Sequence, residues 1–305
     1  MIPHIRQKVP LKLGLASTPL VEIAFSTAAP PPFTFPAVPD IHAEVGRYRL
    51  RLARSVEDRE AACRLRFKVF NIELGEGLES SYQTGLDTDR FDLFCEHLLV
   101  ENRLEDHPAR RIVGTYRMQS GATAARNLGY YSEQEFHFAV YEPLRAGVLE
   151  LGRASIDREH RTPEVLTLLW RGIAQYATGM GLRYLIGCSS LNSREPAEGW
   201  QLYRQLEAYR VSPEFETEPT AAYACPSEQV GRYAQPPVTQ ESKSMPTATP
   251  VKVPKLLKTY LAIGARIAAA PAWDRNFGTI DFLTLLDLKL ISRSARNRFL
   301  APLTT

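Results

Sequence analysis

Proline fixes φ and removes a backbone donor, so a segment crowded with prolines is a poor place for helix or sheet. Of the 22 prolines in this chain, eight fall within residues 3–39 and eight within 213–254. Between those blocks stand only Pro108, Pro143, Pro163 and Pro196. Residues 41–212 are left as the natural folding unit, and about 170 residues are enough for one well-buried core. The organisation expected is a Pro-rich extended or disordered leader over 1–45, a core over 46–210, a Pro/Ser/Thr-rich linker over 211–253 with one short strand near Tyr223, and a tail over 254–305.

A hydrophobic share of 44% with 23% charged residues excludes a disordered, collagen-like or disulfide-scaffold chain. The four cysteines form no CxxC pair. Cys95 and His97 flank Glu96 but no second pair follows at zinc spacing, so no metal is expected and the thiols read as buried and reduced. No apolar run approaches the roughly 20 residues of a membrane span. The mildly apolar stretch near the start is broken by Pro19 and Glu22, which makes a poor signal-peptide core. A cytoplasmic protein is expected, with attachment to the cytoplasmic membrane face open. Charge is uneven: residues 251–305 carry nine basic residues against three acidic ones, leaving the body slightly acidic. Such a tail suits an anionic partner, or is a solvated basic face with none.

Periodicity places the elements. Tyr48 to Ala53 alternates as a strand, and Ser55 before Glu57 and Asp58 opens a helix through Phe70. His97 to Glu101 and Ile112 to Gln119 read as a long hairpin, and Val148 to Ile156 as a strand whose glycine marks a bulge or a close approach. Val165, Leu168, Leu169, Ile173 and Tyr176 share one face of a long helix stopped by Gly179 and Gly181. A short buried strand over Leu182 to Ser190 and a helix from Pro196 follow. This order is α+β with a mixed sheet. In the tail, Pro254 opens a helix with Leu257 and Leu261 on one side and Lys255 and Lys258 around it, and Phe282, Leu285, Leu286 and Leu288 form a second apolar cluster.

The chain has no GxSxG elbow, P-loop or Rossmann glycine fingerprint. Its sharper signal is positional. A strand bearing Glu150 and Arg153 ends before the turn Arg158 to Glu164, which feeds the N-terminus of the long helix. Free amides with arginine nearby suit a phosphate.

That strand, turn, helix and following strand resemble the core of the Gcn5-related N-acyltransferase superfamily, in the branch that uses acyl carrier protein. More narrowly, LRFKVF (65–70), DTDRFD (87–92), CEHLLV (95–100), IVGTYRM (112–118), LELGR (149–153), LLWRGIAQY (168–176) and PAWDRNFGTIDFLTLLDL (271–288) resemble the bacterial ornithine N-acyltransferases, whose relatives are often labelled hemolysin-like. The tail block is the most specific piece; the rest is shared with acyl-homoserine-lactone and N-acyl amino acid synthases. The resemblance implies a mostly antiparallel mixed sheet flanked by helices, plus a C-terminal helical tail packed on the core. It implies transfer of a long-chain, 3-hydroxylated acyl group from acyl carrier protein to the α-amine of an amino acid, with ornithine favoured, and no bound cofactor. The site residues it implies are Arg66 with Phe70, Asp89 with Asp92, Arg117, and Glu150 with Arg153. Around Arg161, Thr162 and Val165 the superfamily's glycine-bearing phosphate loop is replaced by Arg-Thr-Pro-Glu-Val. That departure favours a carrier protein, whose phosphopantetheine arm has one phosphate to hold, over coenzyme A.

A positioned carboxylate can remove the ammonium proton before nitrogen attacks the thioester, and Glu150 is the candidate base. Backbone amides near Leu151 to Arg153 would face the developing oxyanion. No acyl-enzyme is required, so Cys188 and Ser155 need not be nucleophiles. Glu150 can instead form an ion pair with Arg153 or Arg117, and Asp89 and Asp92 can merely orient Arg66 and Arg117. Phe70, Trp170 and Tyr176 fit a core as readily as an acyl slot. The basic tail can receive the acidic carrier protein or dock on anionic lipid, and no nucleic acid is expected. The rival readings are a different amine acceptor on the same fold, or a non-catalytic membrane-active protein.

Overall fold

The computed structural model describes residues 38–226 and 250–299, and most of the leader and the middle of the linker lie outside them. Nine strands form one sheet: β1 (His42–Val45), β2 (Tyr48–Leu52), β3 (Glu96–Asn102), β4 (Ile112–Ser120), β5 (Val148–Ile156), β6 (Tyr184–Leu191), β7 (Arg266–Ile267), β8 (Ala272–Asp274) and β9 (Thr279–Asp287). Their order is β1-β2-β3-β4-β5-β6-β9-β7, with β8 beside β9. Only β5 and β6 run parallel. The helices are α1 (Val56–Phe67), α2 (Pro108–Arg111), α3 (Gly121–Arg126), α4 (Pro163–Gly179), α5 (Pro196–Gln205), α6 (Lys255–Ile263) and α7 (Arg293–Phe299).

Helices cover both faces, so the central strands are buried twice over. On β3, Leu98 and Val100 pack with Leu168, Leu169 and Ile173 of α4, while Leu99 packs with Ala62 and Leu65 of α1. α1 starts where Ser55 Oγ accepts from the Asp58 amide at 3.2 Å, and it continues as a π-helical segment, Lys68–Leu74, to Gly75 at φ +67°.

The sequence expectations fail at three places. The leader is not wholly apart from the core: residues 42–45 form β1 and pair with β2. The first part of the expected linker is stitched to the tail, with the Val211 amide donating to Ile267 O at 2.9 Å and the Thr217 amide to Ala268 O at 2.9 Å. An isolated bridge joins Ala224 to Ala272, next to the strand expected near Tyr223. The tail is not a helical appendage. It contributes α6 and then three strands, and β9 pairs with β6 along its length from Tyr184↔Asp287 to Leu191↔Ile280. A strand buried on both faces reads as an unbroken apolar run, which periodicity cannot separate from a buried helix.

Two irregularities in β5 position the site. Thr115 pairs with Ser155 and Arg117 with Gly152, so Tyr116 alone opposes Arg153 and Ala154. At this bulge Arg153 takes φ +51°, the sole non-glycine residue in the left-handed region among those described. On its other edge β5 pairs with β6 only from Val148↔Tyr184 to Glu150↔Ile186. Gly187 lies at the parting point, where a Cβ would stand 2.1 Å from Leu151 O. Beyond it β5 follows β4 while β6 follows β9, and the gap between them is a cavity.

Candidate active site

The cavity has a volume of about 1240 Å³, at the large end of ligand sites. Leu151 to Ile156 of β5 form one wall and Cys188 to Leu191 of β6 another, with α6 and the π-helical end of α1 across its mouth. Val69, Phe70, Leu74, Leu166, Leu256 and Tyr260 make one part of it apolar. There Tyr260 and Tyr116 share a short hydrogen bond between hydroxyls.

Glu150 stands in the wall at the parting point, 5% exposed. It pairs with neither arginine that the sequence offered it. Its Oε1 accepts from Ser132 N at 2.8 Å and Ser132 Oγ at 2.7 Å, and its Oε2 from Tyr131 N at 2.8 Å. The short helix Tyr131–Gln134 is thus held by this side chain. Burial raises the Glu150 pKa, against the pull of those donors. A carboxylate offers about four lone-pair positions, so one on Oε2 remains for a substrate N–H.

The other expected residues separate into two groups. Arg66 is wholly buried, donating to Asp87 Oδ1 at 2.7 Å and to both oxygens of Asp92 at 2.7 and 2.9 Å. Arg66 and Asp92 do not line the cavity; they form its foundation. Asp92 is held far below the usual carboxylate range by Arg66 and Arg117, although burial opposes this. Arg117 donates to Asp89 Oδ1 at 2.7 Å and Arg153 to Asp89 Oδ2 at 3.3 Å. Asp89 also caps the turn Arg90–Leu93, so both acids of the expected Asp-x-x-Asp orient arginines. Arg117 and Arg153 reach the cavity, the second with its guanidinium 4.4 Å from the Phe277 ring centroid.

At the head of α4, Arg161 and Thr162 line the cavity. Arg161 is engaged twice by Glu73, at 2.5 and 2.8 Å, and Thr162 Oγ1 is buried without a partner. Val165 is fully buried in the core, where a Cβ on Gly114 would stand 3.1 Å from its Cγ1. Its side chain therefore faces away from any donor.

Neither candidate nucleophile is equipped as one. Burial pushes the Cys188 thiol well up, and it donates to Ser132 Oγ at 3.4 Å and Glu135 Oε2 at 3.6 Å. Ser155 Oγ is buried without a hydrogen-bond partner.

Five acids in the cavity wall escaped sequence reasoning: Glu76, Glu135, Glu198, Asp274 and Asp281. Burial, with Asp281 nearby, pushes Glu76 up to about 7. The tail block contained Asp274 and Asp281, but they were weighed only as a minority in a basic segment. Glu135 carried no spacing signal.

The model of the acetyltransferase (GNAT) domain matches residues 65–171. The chain is 31% identical to an L-ornithine N(alpha)-acyltransferase of Brucella abortus (strain 2308) over 259 residues, 83% of this chain and 88% of that one. It is 30% identical to the L-ornithine N(alpha)-acyltransferase of Rhizobium meliloti (strain 1021) over 285 residues, 92% and 91% of the two chains. Among solved structures, it is similar to FeeM, an N-acyl amino acid synthase from uncultured soil microbes, with a TM-score of 0.45 at 12% identity over 84% of this chain and 97% of that one. The acyl-homoserine-lactone synthase LasI gives 0.44 at 10% identity over 83% and 94%. With such identity to the two ornithine enzymes along most of both chains, this one belongs to the L-ornithine N(alpha)-acyltransferase family and is a GNAT-type N-acyltransferase.

Proposed function

We propose that the enzyme moves a long-chain, 3-hydroxylated acyl group from the thioester of acyl carrier protein to the α-amine of ornithine, releasing the carrier thiol and a lyso-ornithine lipid. The observation that carries this reading is a large cavity with a buried carboxylate at the strand parting and an apolar arm beside it. The acceptor's α-ammonium donates to the remaining lone pair of Glu150 and then yields it a proton. The freed nitrogen attacks the thioester carbon, and backbone N–H groups of Leu151 to Arg153 face the developing oxyanion. As the C–S bond breaks, the attacking nitrogen passes its second proton to the departing thiolate, and Glu150 returns the first to solvent, leaving amide and free thiol. The acceptor's α-carboxylate is assigned to Arg153, whose Nε has no hydrogen-bond partner.

Three features support a carrier-protein donor. Lys252 and Lys255 are exposed at the cavity and suit an acidic partner. The head of α4 offers Thr162 and Pro163 in place of a glycine loop. Arg161 is committed to Glu73, leaving little to hold the extra phosphates of coenzyme A. No helix among the described residues is long and apolar enough to cross a membrane; contact with the inner membrane surface is assigned to the basic residues around α6. The test is incubation with 3-hydroxyacyl carrier protein or the matching coenzyme A thioester and a panel of amino acids, followed by mass spectrometry for amides. Ornithine amide from the carrier thioester is expected. No amide from any acceptor refutes the proposal.

A further inference from the structure

Glu135, Asp274 and Asp281 line the cavity, and one carboxylate oxygen of each lies within 4.8 Å of the other two. They are buried, at 1%, 2% and 5% exposure. None forms an ion pair among the described residues. Asp274 Oδ1 is used locally, accepting from the amides of Asn276 and Phe277 at 2.8 and 3.0 Å. Asp281 Oδ1 is buried against the cavity with no hydrogen bond of good geometry, while Ser190, Glu135 and Thr279 lie close to the same carboxyl. Burial, with Asp274 nearby, raises both Glu135 and Asp281, and the contact between those two carboxyls raises Glu135 further while lowering Asp281. A cation placed among the three oxygens would offset both the burial and the like charges.

The spacing suits an ammonium. Three oxygens accepting from one –NH₃⁺ at about 2.8 Å stand about 4.6 Å apart. The cluster is also within reach of Glu150, the proposed base. Contacts of 2.7, 3.4 and 3.6 Å connect Glu150 to Glu135 through Ser132 and Cys188. The two nitrogens of an extended ornithine are about 6 Å apart by standard bond lengths, so one can meet Glu150 while the other approaches the cluster.

We propose that Glu135, Asp274 and Asp281 bind the side-chain ammonium of a diamino acid acceptor and so select it over monoamino acids of equal length. This rests on the acyl-transfer reading above, and it adds residues from β8, β9 and the loop before Phe136 as determinants of acceptor specificity. They position the acceptor and take no part in the proton transfer.

The experiment separates the two ideas. Ornithine and norvaline, which differ only by the terminal amine, are titrated calorimetrically into the full-length enzyme without acyl donor. Wild type is expected to favour ornithine by about 30-fold or more, the scale of a charge-assisted buried contact. Asp281→Asn is expected to reduce that preference to about threefold or less while the variant melts cooperatively, and Glu135→Gln provides the same reading if the first variant does not fold. Equal binding of the two ligands by wild type, or parallel weakening of both in the variants, overturns the proposal. Stoichiometric Mn²⁺ binding that Asp281→Asn abolishes assigns the cluster to a metal and overturns it as well. If steady-state assays detect no acylation of any amine, the acyl-transfer reading fails, and the calorimetric preference still decides the role of the cluster.

Discussion

Replacing Glu150 by glutamine preserves the side chain's shape and removes its charge. The glutamine oxygen can occupy the Oε1 place and keep both bonds from Ser132, but its NH₂ then faces the Tyr131 amide that Oε2 had accepted at 2.8 Å. One buried donor is left unsatisfied at about 1–3 kcal/mol. At roughly 2–4 °C per kcal/mol, the melting temperature should fall by about 2–12 °C and the enzyme should stay folded. Turnover should fall much further, by about 10²–10⁴-fold, the usual contribution of a general base. Ser132→Ala is the matched control: it removes one bond to the carboxylate, leaves the charge, and should cost less than about tenfold in kcat. Initial rates with acyl carrier protein thioester and ornithine, taken across pH, supply the second readout. Because burial raises the Glu150 pKa, the base form is lost as pH falls, and the acid limb of kcat/KM should sit above the pH at which an exposed glutamate titrates. Glu150→Gln should lack that limb. A variant within about fivefold of wild type, or one that keeps the limb, refutes the assignment of the base; equal losses in Glu150→Gln and Ser132→Ala would show that the residue acts only by holding the loop at 131–134.

Burial holds His97 at a pKa of about 4 rather than 6.5. The unfolded chain therefore binds the proton first, and this group's contribution to stability is full above pH 6.5 and lost as pH falls toward 4. Between pH 7 and 5 the loss is about 2 kcal/mol, and urea unfolding of His97→Leu should show a correspondingly shallower pH dependence; an unchanged slope counts against it. Arg66→Leu strands two buried carboxylates, Asp87 and Asp92, and should destabilise by about 3–5 kcal/mol in the same assay; a loss under about 1 kcal/mol would deny Arg66 its place as the foundation of the site. Gly187→Ala puts a Cβ 2.1 Å from Leu151 O, which should cost about 1–3 kcal/mol and lower kcat by displacing the amides of β5; a wild-type melting temperature and rate would show that the strand parting tolerates it.

Much of this fold was legible because single strands and helices obey short-range rules. VLELGRASI is bounded correctly as β5, its glycine flags a bulge that lies one residue later, and Ser55 and Pro196 mark helix starts through the donors they satisfy or lack. The tail was misread for a physical reason: Ile280 to Leu286 is buried on both faces, so the alternation that identifies a strand is absent from it. The charged residues were found but their jobs were not. Arg66 and Asp92 look like site residues in sequence and are joined out of reach of the cavity, because an arginine buried with two aspartates leaves the same motif whether it binds substrate or supports those that do. Glu135, Asp274 and Asp281 are distant in sequence and meet only through the pairing of β8 with β9 and the return of the 131–135 loop, a juxtaposition that no spacing encodes.

The place of β9 inside the sheet has a consequence for how the protein is made. β6 emerges from the ribosome with β5 available on one side, but its other edge has no partner until α5, the proline-rich segment and α6 have all been synthesised and β9 follows. For that interval an apolar edge with open N–H and C=O groups faces solvent, a surface that pairs readily with other chains. The non-local closure of β6 on β9 is also slow by its topology. Folding yield should therefore be limited by the last strand to arrive, and binding of a chaperone to the nascent chain should peak after β6 has emerged and end once residue 287 is free.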